Sequence, residues 1–427
     1  MKSYKSMTKE ELQSLYEELK ASYVDAKGKG LALNMARGKP SPSQLDMSMD
    51  ILDVLNSKTC ATTESNVDIR NYGELFGIKE ARQLMADMMG VPMENTIVFG
   101  NASLPIMYDT ISRSMTFGVC GSTPWSKLDK IKFLCPAPGY DRHFAITELF
   151  GFELITIPMT ENGPDMKMVK EYVENDDAVK GIWCVPKYAN PTGITYSDET
   201  VRALASLKPA ADDFRLYWDN AYAVHDLYDD KRDELLEILG ECKKAGNEDM
   251  VFEFCSTSKI SMAGSGIAAM ATSSKNMEWV KKTMTIQTIG YDKVNQYRHV
   301  LYYKNIDGIR NTMKKHAEQL RPKFEAVLKC FDEELGGLDI ATWTKPNGGY
   351  FISFNALPGT AKAIVAKCKE AGVVLTGAGA TYPYGVDPDD SNIRIAPSFP
   401  TPEEMELAAR VFVLCVKLAT VEKLLNE

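Results

Sequence analysis

Apolar residues follow two different spacings in the middle of the chain. Between residues 78 and 310, short and nearly continuous apolar runs alternate with longer stretches in which apolar residues recur at helical spacing. The runs are typical of buried strands, and the stretches are typical of amphipathic helices. Because apolar strands separated by helices usually pair in parallel, the pattern predicts a mainly parallel sheet covered by helices on both faces. The predicted strands are 96–99, 131–135, 154–158, 181–185, 215–218 and 250–254.

The two ends of the chain carry a second set of predicted elements. Residues 8–26 have apolar positions at helical spacing, and Thr8 followed by Glu11 is the capping-box pattern that begins a helix. A long helix over 306–336 ends at a pair of glycines, which marks a boundary. Beyond it we expect strands at 339–344, 349–355 and 372–376 and helices at 360–371 and 402–424.

These elements predict an α/β protein with a larger and a smaller domain. At 427 residues the chain is too long for a single ordinary core. We assign the mainly parallel, mixed sheet to a large domain over 51–310 and expect a small α+β domain over 311–427. Residues 1–50 are expected to form an N-terminal arm and part of the small domain.

Composition narrows the classes of function. A net charge of −9 and a pI near 5.3 argue against nucleic acid or an anionic membrane as a partner. The sequence contains no apolar run of about 18 residues and no signal peptide at its start. The nine cysteines include no CxxC pair, which argues against a metal centre. We therefore expect a cytoplasmic protein that holds no metal.

Lys259 lies in a segment of small and hydroxyl residues that directly follows the strand 250–254. A lysine shielded from water loses part of its preference for the charged form and becomes a nucleophile toward carbonyl groups. Small neighbours such as Ser256 leave room for a ligand and donate hydrogen bonds to an anion. The segment fits the lysine site of pyridoxal phosphate (PLP), although by itself it also fits a solvated surface lysine.

Asp219 ends the strand 215–218 and is followed three residues later by Tyr222. An acid at the carboxyl end of a parallel strand points into the ligand crevice of such folds. There it would keep a pyridine nitrogen protonated, and Tyr222 would reach the phenolic oxygen of the same ring. The alternative for Asp219 is an ordinary cap of the next turn.

An anion site is expected where the strand 96–99 leads through Asn101 and Ala102 to Ser103 and a helix. A helix N-terminus offers free N–H groups and a favourable dipole to a phosphate. A simple helix cap has the same pattern. A nucleotide is less well supported, because the sequence contains neither GxGxxG nor GxxxxGK[ST].

Three further side chains have chemistry that suits such a cofactor and its substrate. Asn190, in a turn with Pro191, offers an amide to the phenolic oxygen. Tyr140 offers a ring for stacking, and Arg394 offers a fork of N–H groups for a carboxylate. The alternatives are a plain turn, a proline-rich loop and a half-exposed strand arginine.

In chain order these motifs resemble those of the fold-type I aminotransferases of class I/II, and the resemblance covers nearly all of the chain. It implies a Schiff base between Lys259 and PLP, with Asp219 and Tyr222 as the other catalytic residues. It also implies a homodimer in which Tyr72 reaches the phosphate of the partner subunit. The implied cofactor-binding residues are Asn101, Ala102, Ser103, Tyr140, Asn190, Asp219, Tyr222, Ser256, Lys259 and Tyr72.

The segments around Arg37 and Arg142 resemble an atypical bacterial branch of aspartate aminotransferases. This resemblance implies an acidic amino donor, aspartate or glutamate, and 2-oxoglutarate or another 2-oxo acid as acceptor. It implies that Arg394, Asn190 and the backbone at Gly38 bind the α-carboxylate. Arg37 and Arg142 are the candidates for the distal carboxylate, with a solvated loop arginine as the alternative for each.

One position departs from the family. Most relatives have an arginine seven or eight residues after the lysine that neutralises the phosphate, whereas Gly266 and Ile267 stand there in this chain. Arg298 and Lys293 are candidates to replace that charge.

The functions that compete with an aspartate aminotransferase are an aminotransferase of another specificity, a PLP-dependent β-eliminating lyase, a ligand-sensing regulator and a non-catalytic relative. The acidic charge disfavours the regulator, and the presence of Lys259 and Asp219 disfavours the non-catalytic relative.

Overall fold

The computed structural model describes residues 2–427 and contains thirteen α-helices and thirteen β-strands in that part of the chain. The helices are α1 (Lys9–Gly28), α2 (Pro42–Asp46), α3 (Lys79–Met89), α4 (Ser103–Phe117), α5 (Asp141–Leu149), α6 (Met166–Asn175), α7 (Asp198–Ala205), α8 (Ile238–Lys244), α9 (Ser274–Gln287), α10 (Lys293–Tyr303), α11 (Ile306–Leu335), α12 (Ala361–Glu370) and α13 (Pro402–Asn426). The strands are β1 (Leu33–Asn34), β2 (Thr96–Val98), β3 (Lys132–Ala137), β4 (Glu153–Thr160), β5 (Gly163–Pro164), β6 (Val179–Cys184), β7 (Arg215–Asp219), β8 (Val251–Ser256), β9 (Ala268–Thr272), β10 (Ala341–Trp343), β11 (Ile352–Ala356), β12 (Val373–Val374) and β13 (Asn392–Ile395).

An eight-stranded sheet has the order β2-β9-β8-β7-β6-β3-β4-β5. The strands from β8 through β4 pair in parallel, whereas β9 runs antiparallel to both of its neighbours and β5 runs antiparallel to β4. The predicted α/β class with a mainly parallel, mixed sheet is therefore confirmed. Strand β9 was not predicted from the sequence, because its residues Ala-Ala-Met-Ala-Thr include three alanines, a residue with weak strand preference.

Side chains on alternate positions of each strand enter different cores. On β7, Tyr217 packs in a cluster with Phe133 and Phe252, while Trp218 packs in a cluster with Ile182 and Val251 on the other face. Since helices cover both faces, the strands between them are buried throughout and read as continuous apolar runs.

The C-terminal part of the chain contains two smaller sheets, β10-β11-β13 and β1-β12. Helix α1 begins at a Thr8 capping box, as predicted, and packs with α12 and α13. Tyr23 Oη donates to the Lys367 carbonyl at 3.1 Å, and Lys27 pairs with Glu370 at 2.8 Å. The N-terminal helix thus shares a core with the C-terminal elements. The division into 1–50, 51–310 and 311–427 stays a prediction.

One edge of the large sheet collects the chemically important loops. The parallel strands β3, β6, β7 and β8 all end at this edge, and their carboxyl ends lead toward Tyr140, Asn190, Asp219 and Lys259. No helix within residues 2–427 combines the length and the apolar character that crossing a bilayer requires.

Candidate active site

A cavity of about 620 Å³ opens at this edge of the sheet. It is walled on one side by the loops after the parallel strands and on the other by residues from both ends of the chain. The lining residues are Ala36, Arg37, Gly38, Ala102, Ser103, Leu104, Met107, Tyr140, Asp141, Arg142, Val185, Asn190, Asp219, Ala221, Tyr222, Ser256, Ser258, Lys259, Phe351, Thr376 and Arg394.

Lys259 reaches the cavity from the loop after β8. Its Nζ lies 5.0 Å from the centre of the Tyr222 ring and 5.9 Å from the centre of the Tyr350 ring. Loss of water around the amine lowers the pKa of Lys259, and the negative charge of Asp219 opposes that shift. The neutral amine is therefore reached at lower pH than for a solvated lysine, which suits attack on a carbonyl carbon.

Asp219 ends β7 and is almost completely buried. His143 Nε2 donates to Asp219 Oδ2 at 2.9 Å, and the His143 ring stacks on Trp183 with their centres 4.5 Å apart. Asp219 Oδ1 is buried and has no hydrogen-bond partner among the described residues. One carboxylate oxygen is thus fixed by the protein, and the other is free for a ligand.

Arg394 lies on β13 with its side chain 9% exposed. Its Nη1 donates to Asp141 Oδ1 at 3.0 Å and to Asn190 Oδ1 at 3.3 Å, and its Nη2 donates to Thr376 Oγ1 at 3.2 Å. The guanidinium also lies 5.0 Å from the centre of the Phe351 ring. These contacts hold the arginine in one orientation at the cavity wall.

Ser103 and Ser256 lie together at the end of the cavity formed by the start of α4 and the loop after β8. Ser256 Oγ bonds to Ser258 Oγ at 3.0 Å, and Ser258 Oγ also lines the cavity. Ala102 is the N-cap of α4, so free backbone N–H groups accompany the hydroxyls. Hydroxyls and a helix N-terminus together form a suitable anion site.

Gly266 lies against this anion site and has no room for a side chain. A Cβ at this position would lie 2.9 Å from Thr257 Oγ1 and 3.0 Å from the Asn101 carbonyl oxygen. At the position that departs from the family pattern, the loop after β8 thus lies directly against the loop that contains Asn101. Arg298 and Lys293 do not line the cavity: Arg298 Nη2 donates to Ser265 Oγ at 2.6 Å, and Lys293 Nζ donates to the Gly73 carbonyl at 3.1 Å.

Two of the predicted site residues lie outside the cavity. Asn101 is exposed, and it contacts the site only through its carbonyl, which accepts from Ser258 Oγ at 3.5 Å. Tyr72 is 83% exposed and lines a separate surface cleft with Tyr291 and Lys293. The other predicted cofactor and substrate residues all line the cavity.

Arg37 and Arg142 are exposed at the mouth of the cavity. Within residues 2–427, neither side chain forms an ion pair or a hydrogen bond, which leaves two guanidinium groups open to a ligand. Asp141 and Thr376 were not predicted as site residues, although both contact Arg394. Asp141 lies between two predicted site residues, Tyr140 and Arg142, and this position in the sequence could have indicated that Asp141 also lines the site.

Comparisons with known proteins show which family this chain is similar to. The sequence model of the aspartate amino-transferase family matches residues 7–427. An aspartate aminotransferase from Corynebacterium glutamicum is 46% identical over 418 residues, which cover 98% of this chain and 96% of that protein. The crystal structure of an aspartate transaminase from the same species has a TM-score of 0.96 at 45% identity and covers 99% of each chain.

A more distant structure shares the fold. LysN, an α-aminoadipate aminotransferase from Thermus thermophilus solved with N-(5'-phosphopyridoxyl)-L-leucine, is 19% identical to this chain. Its TM-score is 0.71, and the match covers 94% of this chain and 95% of LysN. The full-length matches decide the assignment: the chain belongs to the aspartate amino-transferase family and is an aminotransferase that depends on PLP.

Proposed function

We propose that this chain moves the amino group between an acidic amino acid, aspartate or glutamate, and 2-oxoglutarate or another 2-oxo acid. The observation that carries the proposal is the placement of three arginines, Arg37, Arg142 and Arg394, in one cavity with Lys259. Arginine binds carboxylates through paired N–H groups, so this set suits a substrate with two carboxylates. The name of the relative from Corynebacterium glutamicum supports the same substrate class.

The residues of the cavity fit PLP. The free oxygen of Asp219 suits a protonated ring nitrogen, since a buried carboxylate requires a donor or a positive charge. Asn190 and Tyr222 are available for the phenolic oxygen, Tyr140 for stacking on the ring, and Ala102, Ser103 and Ser256 for the phosphate, with the backbone of Asn101 beside them. When bound, PLP supplies an electron sink that makes a proton on the substrate Cα acidic.

The residues of this chain position the substrate and move that proton. Arg394 binds the α-carboxylate, with Asn190 and the backbone at Gly38 beside it. Lys259, whose pKa is lowered by burial, would take the proton from the substrate Cα as a neutral amine and return it to C4′ of the cofactor, the carbon on the other side of the substrate nitrogen. Tyr140 stays uncharged, because burial and the nearby charges of Asp219 and Asp141 raise its pKa to about 12.

The proposal includes a homodimer in the cytoplasm. Tyr72 is too far from the cavity of its own subunit to line it, and its exposed ring suits a contact with the phosphate site of a second copy. The segment that carries Tyr72 contacts residues 290–293, and exposed Ile289 and Val294 flank that contact. Exposed apolar side chains in touching segments are typical of surfaces that pair.

A product assay tests the proposed reaction. The protein is loaded with PLP and incubated with L-aspartate and 2-oxoglutarate, and the expected products are oxaloacetate and glutamate in equal amounts. A lyase would instead release pyruvate and ammonia from an amino acid with a β leaving group, such as L-cysteine, without any 2-oxo acid. Activity of that kind, with no transfer from aspartate or glutamate, would reject the proposal.

A further inference from the structure

Among residues 2–427, Asp141 and Asp219 are the carboxylates that line the cavity, and Asp141 contacts the arginine assigned to the substrate. It is the first residue of α5, and its side chain is 34% exposed. We propose that Asp141 pairs with Arg394 until the substrate binds, and that the substrate carboxylate then displaces Asp141 from Arg394. Asp141 would then set the affinity of the site for every carboxylate ligand. This inference rests on the proposed role of Arg394 in binding the substrate.

The hydrogen bonds of Arg394 leave little room for a second carboxylate. Both N–H groups of Nη1 are taken, by Asp141 and by Asn190, and Nη2 donates to Thr376. Nε is buried and has no hydrogen-bond partner among the described residues. A carboxylate that binds end-on uses one N–H of Nη1 and one of Nη2, and Asp141 holds an N–H of Nη1. A substrate carboxylate that binds end-on therefore replaces Asp141 rather than binding beside it.

The charges of the cavity support the same conclusion. Asp219 is engaged by His143, so Asp141 is the negative charge that an incoming carboxylate meets. Like charges at a shared partner repel, which weakens the binding of any anion there. Asp141 is partly exposed, so its carboxylate can move into water at low cost. Arg394 keeps its contacts with Asn190, Thr376 and Phe351 after that movement.

Asp141→Asn removes the competing charge and keeps the size of the side chain. We expect the variant to bind carboxylates about two- to fivefold more tightly, the range for loss of a partly exposed ion pair. The factor is expected to be equal for aspartate, alanine and 2-oxoglutarate, because all of them share the α-carboxylate. A gain in affinity is informative, since a merely damaged site would bind more weakly.

Calorimetric titration of the PLP-loaded protein with succinate measures this effect without any amino transfer. Asp198→Asn is the matched control, because Asp198 is also the first residue of a helix and pairs with an arginine, Arg202, at 3.0 Å. Thermal unfolding of both variants verifies that they are folded. A several-fold lower Kd in Asp141→Asn alone supports the proposal.

Three results would overturn it. An unchanged Kd would show that Asp141 does not compete for Arg394. A higher Kd for all carboxylates would show that Asp141 orients Arg394 for the substrate. A higher KM for amino acids, with 2-oxo acids unaffected, would place Asp141 at the substrate ammonium group. If the wild-type protein binds succinate but does not transfer amino groups, the proposed function fails and this inference is still tested.

Discussion

At the residue scale, Lys259 and Asp219 show how burial prepares two charged groups for different tasks. The amine of Lys259 has lost water and its pKa is lowered, so it is available as a base or nucleophile. Asp219 has one oxygen fixed by His143 and one without a partner. A buried carboxylate in that condition stabilises a positive charge placed next to it. The two residues thus provide a proton carrier and a fixed counter-charge.

The distal carboxylate gives a prediction at the same scale. Arg142→Ala is expected to raise the KM for aspartate about tenfold, which corresponds to the loss of one charge-assisted contact. The KM for alanine, which has no second carboxylate, is expected to stay nearly constant. Steady-state kinetics with both donors measures the difference.

Arg202→Ala serves as the control for this experiment, because Arg202 pairs with Asp198 on the surface away from the cavity. It is expected to leave both KM values unchanged. Equal effects of Arg142→Ala on the KM values for aspartate and alanine would show that Arg142 does not bind the distal carboxylate and would leave Arg37 as the candidate.

The parts of the site that could be predicted from the sequence are those that follow from strand order, whereas contacts between residues far apart in the chain could not be predicted. Lys259, Asp219 and Asn190 follow strands of one parallel sheet, so their meeting at one edge could be predicted. Asp141 and Arg394 are separated by 253 positions, and no local pattern indicates their ion pair. Arg37 and Arg142 were predicted through the family resemblance, and their lack of partners became visible only in the fold.

At the element scale, a buried polar contact joins the N-terminal arm to the long helix α11. Gln44, on α2, places its Nε2 3.0 Å from His316 Nδ1 and donates to Tyr350 Oη at 3.2 Å. All three side chains are fully buried. The contact fixes the arm that carries Gly38 and Arg37 to the wall of the cavity, since these residues directly precede α2.

His316 makes the stability of this contact depend on pH. Burial lowers its pKa from 6.5 to about 4. Above pH 6.5 the imidazole is neutral in the folded and unfolded chains, and stability is unaffected. Between pH 6.5 and 4 only the unfolded chain gains the proton, so the folded state loses stability as the pH falls.

The corresponding measurement compares the wild-type protein with His316→Asn in urea at pH 7 and pH 5. The variant is expected to be less stable at pH 7, because it loses the contact with Gln44. The difference in unfolding free energy between the wild-type protein and the variant is expected to shrink by about 2 kcal/mol at pH 5. At that pH only the wild-type protein has a histidine at this position that is neutral when folded and protonated when unfolded. A difference that is equal at both pH values would contradict the buried, neutral state of His316.

Most elements could be predicted from the apolar pattern because their local signals agree with the fold. The capping box at Thr8 fixed the start of α1, and the glycines after Leu335 fixed the end of α11. The six predicted strands of the large sheet match β2, β3, β4, β6, β7 and β8 to within a few residues. Strand β9 could not be predicted, because its alanines carry neither strand preference nor a clear period.

At the scale of the whole molecule, the cavity depends on residues that are far apart in the chain. Gly38 lies against Phe351, and a Cβ at this position would lie 2.3 Å from the ring. This close approach brings the N-terminal arm against the C-terminal part of the chain at the edge of the large sheet. The site is therefore assembled by the tertiary fold. In our proposal a second subunit also contributes to it, through the contact of its Tyr72 with the phosphate site.

Mixing two inactive variants tests the shared site. Lys259→Ala lacks the reactive amine, and Tyr72→Ala lacks the contact proposed for the partner's phosphate site. A mixed dimer would contain one site in which both residues are intact. Random exchange in an equal mixture is therefore expected to restore about a quarter of wild-type activity. Activity no higher than the average of the separate variants would contradict a shared site.

The absorption spectrum of the purified, PLP-loaded protein before and after L-aspartate reports directly on amino transfer at Lys259. We predict a visible band that moves to the near ultraviolet when aspartate is added without a 2-oxo acid and returns when 2-oxoglutarate follows. Lys259→Ala is expected to fold normally and to exchange amino groups at least about 100-fold more slowly, the lower range for loss of an acid–base group. A visible band that persists with both aspartate and glutamate, or the absence of any band, would contradict amino transfer from acidic amino acids at Lys259.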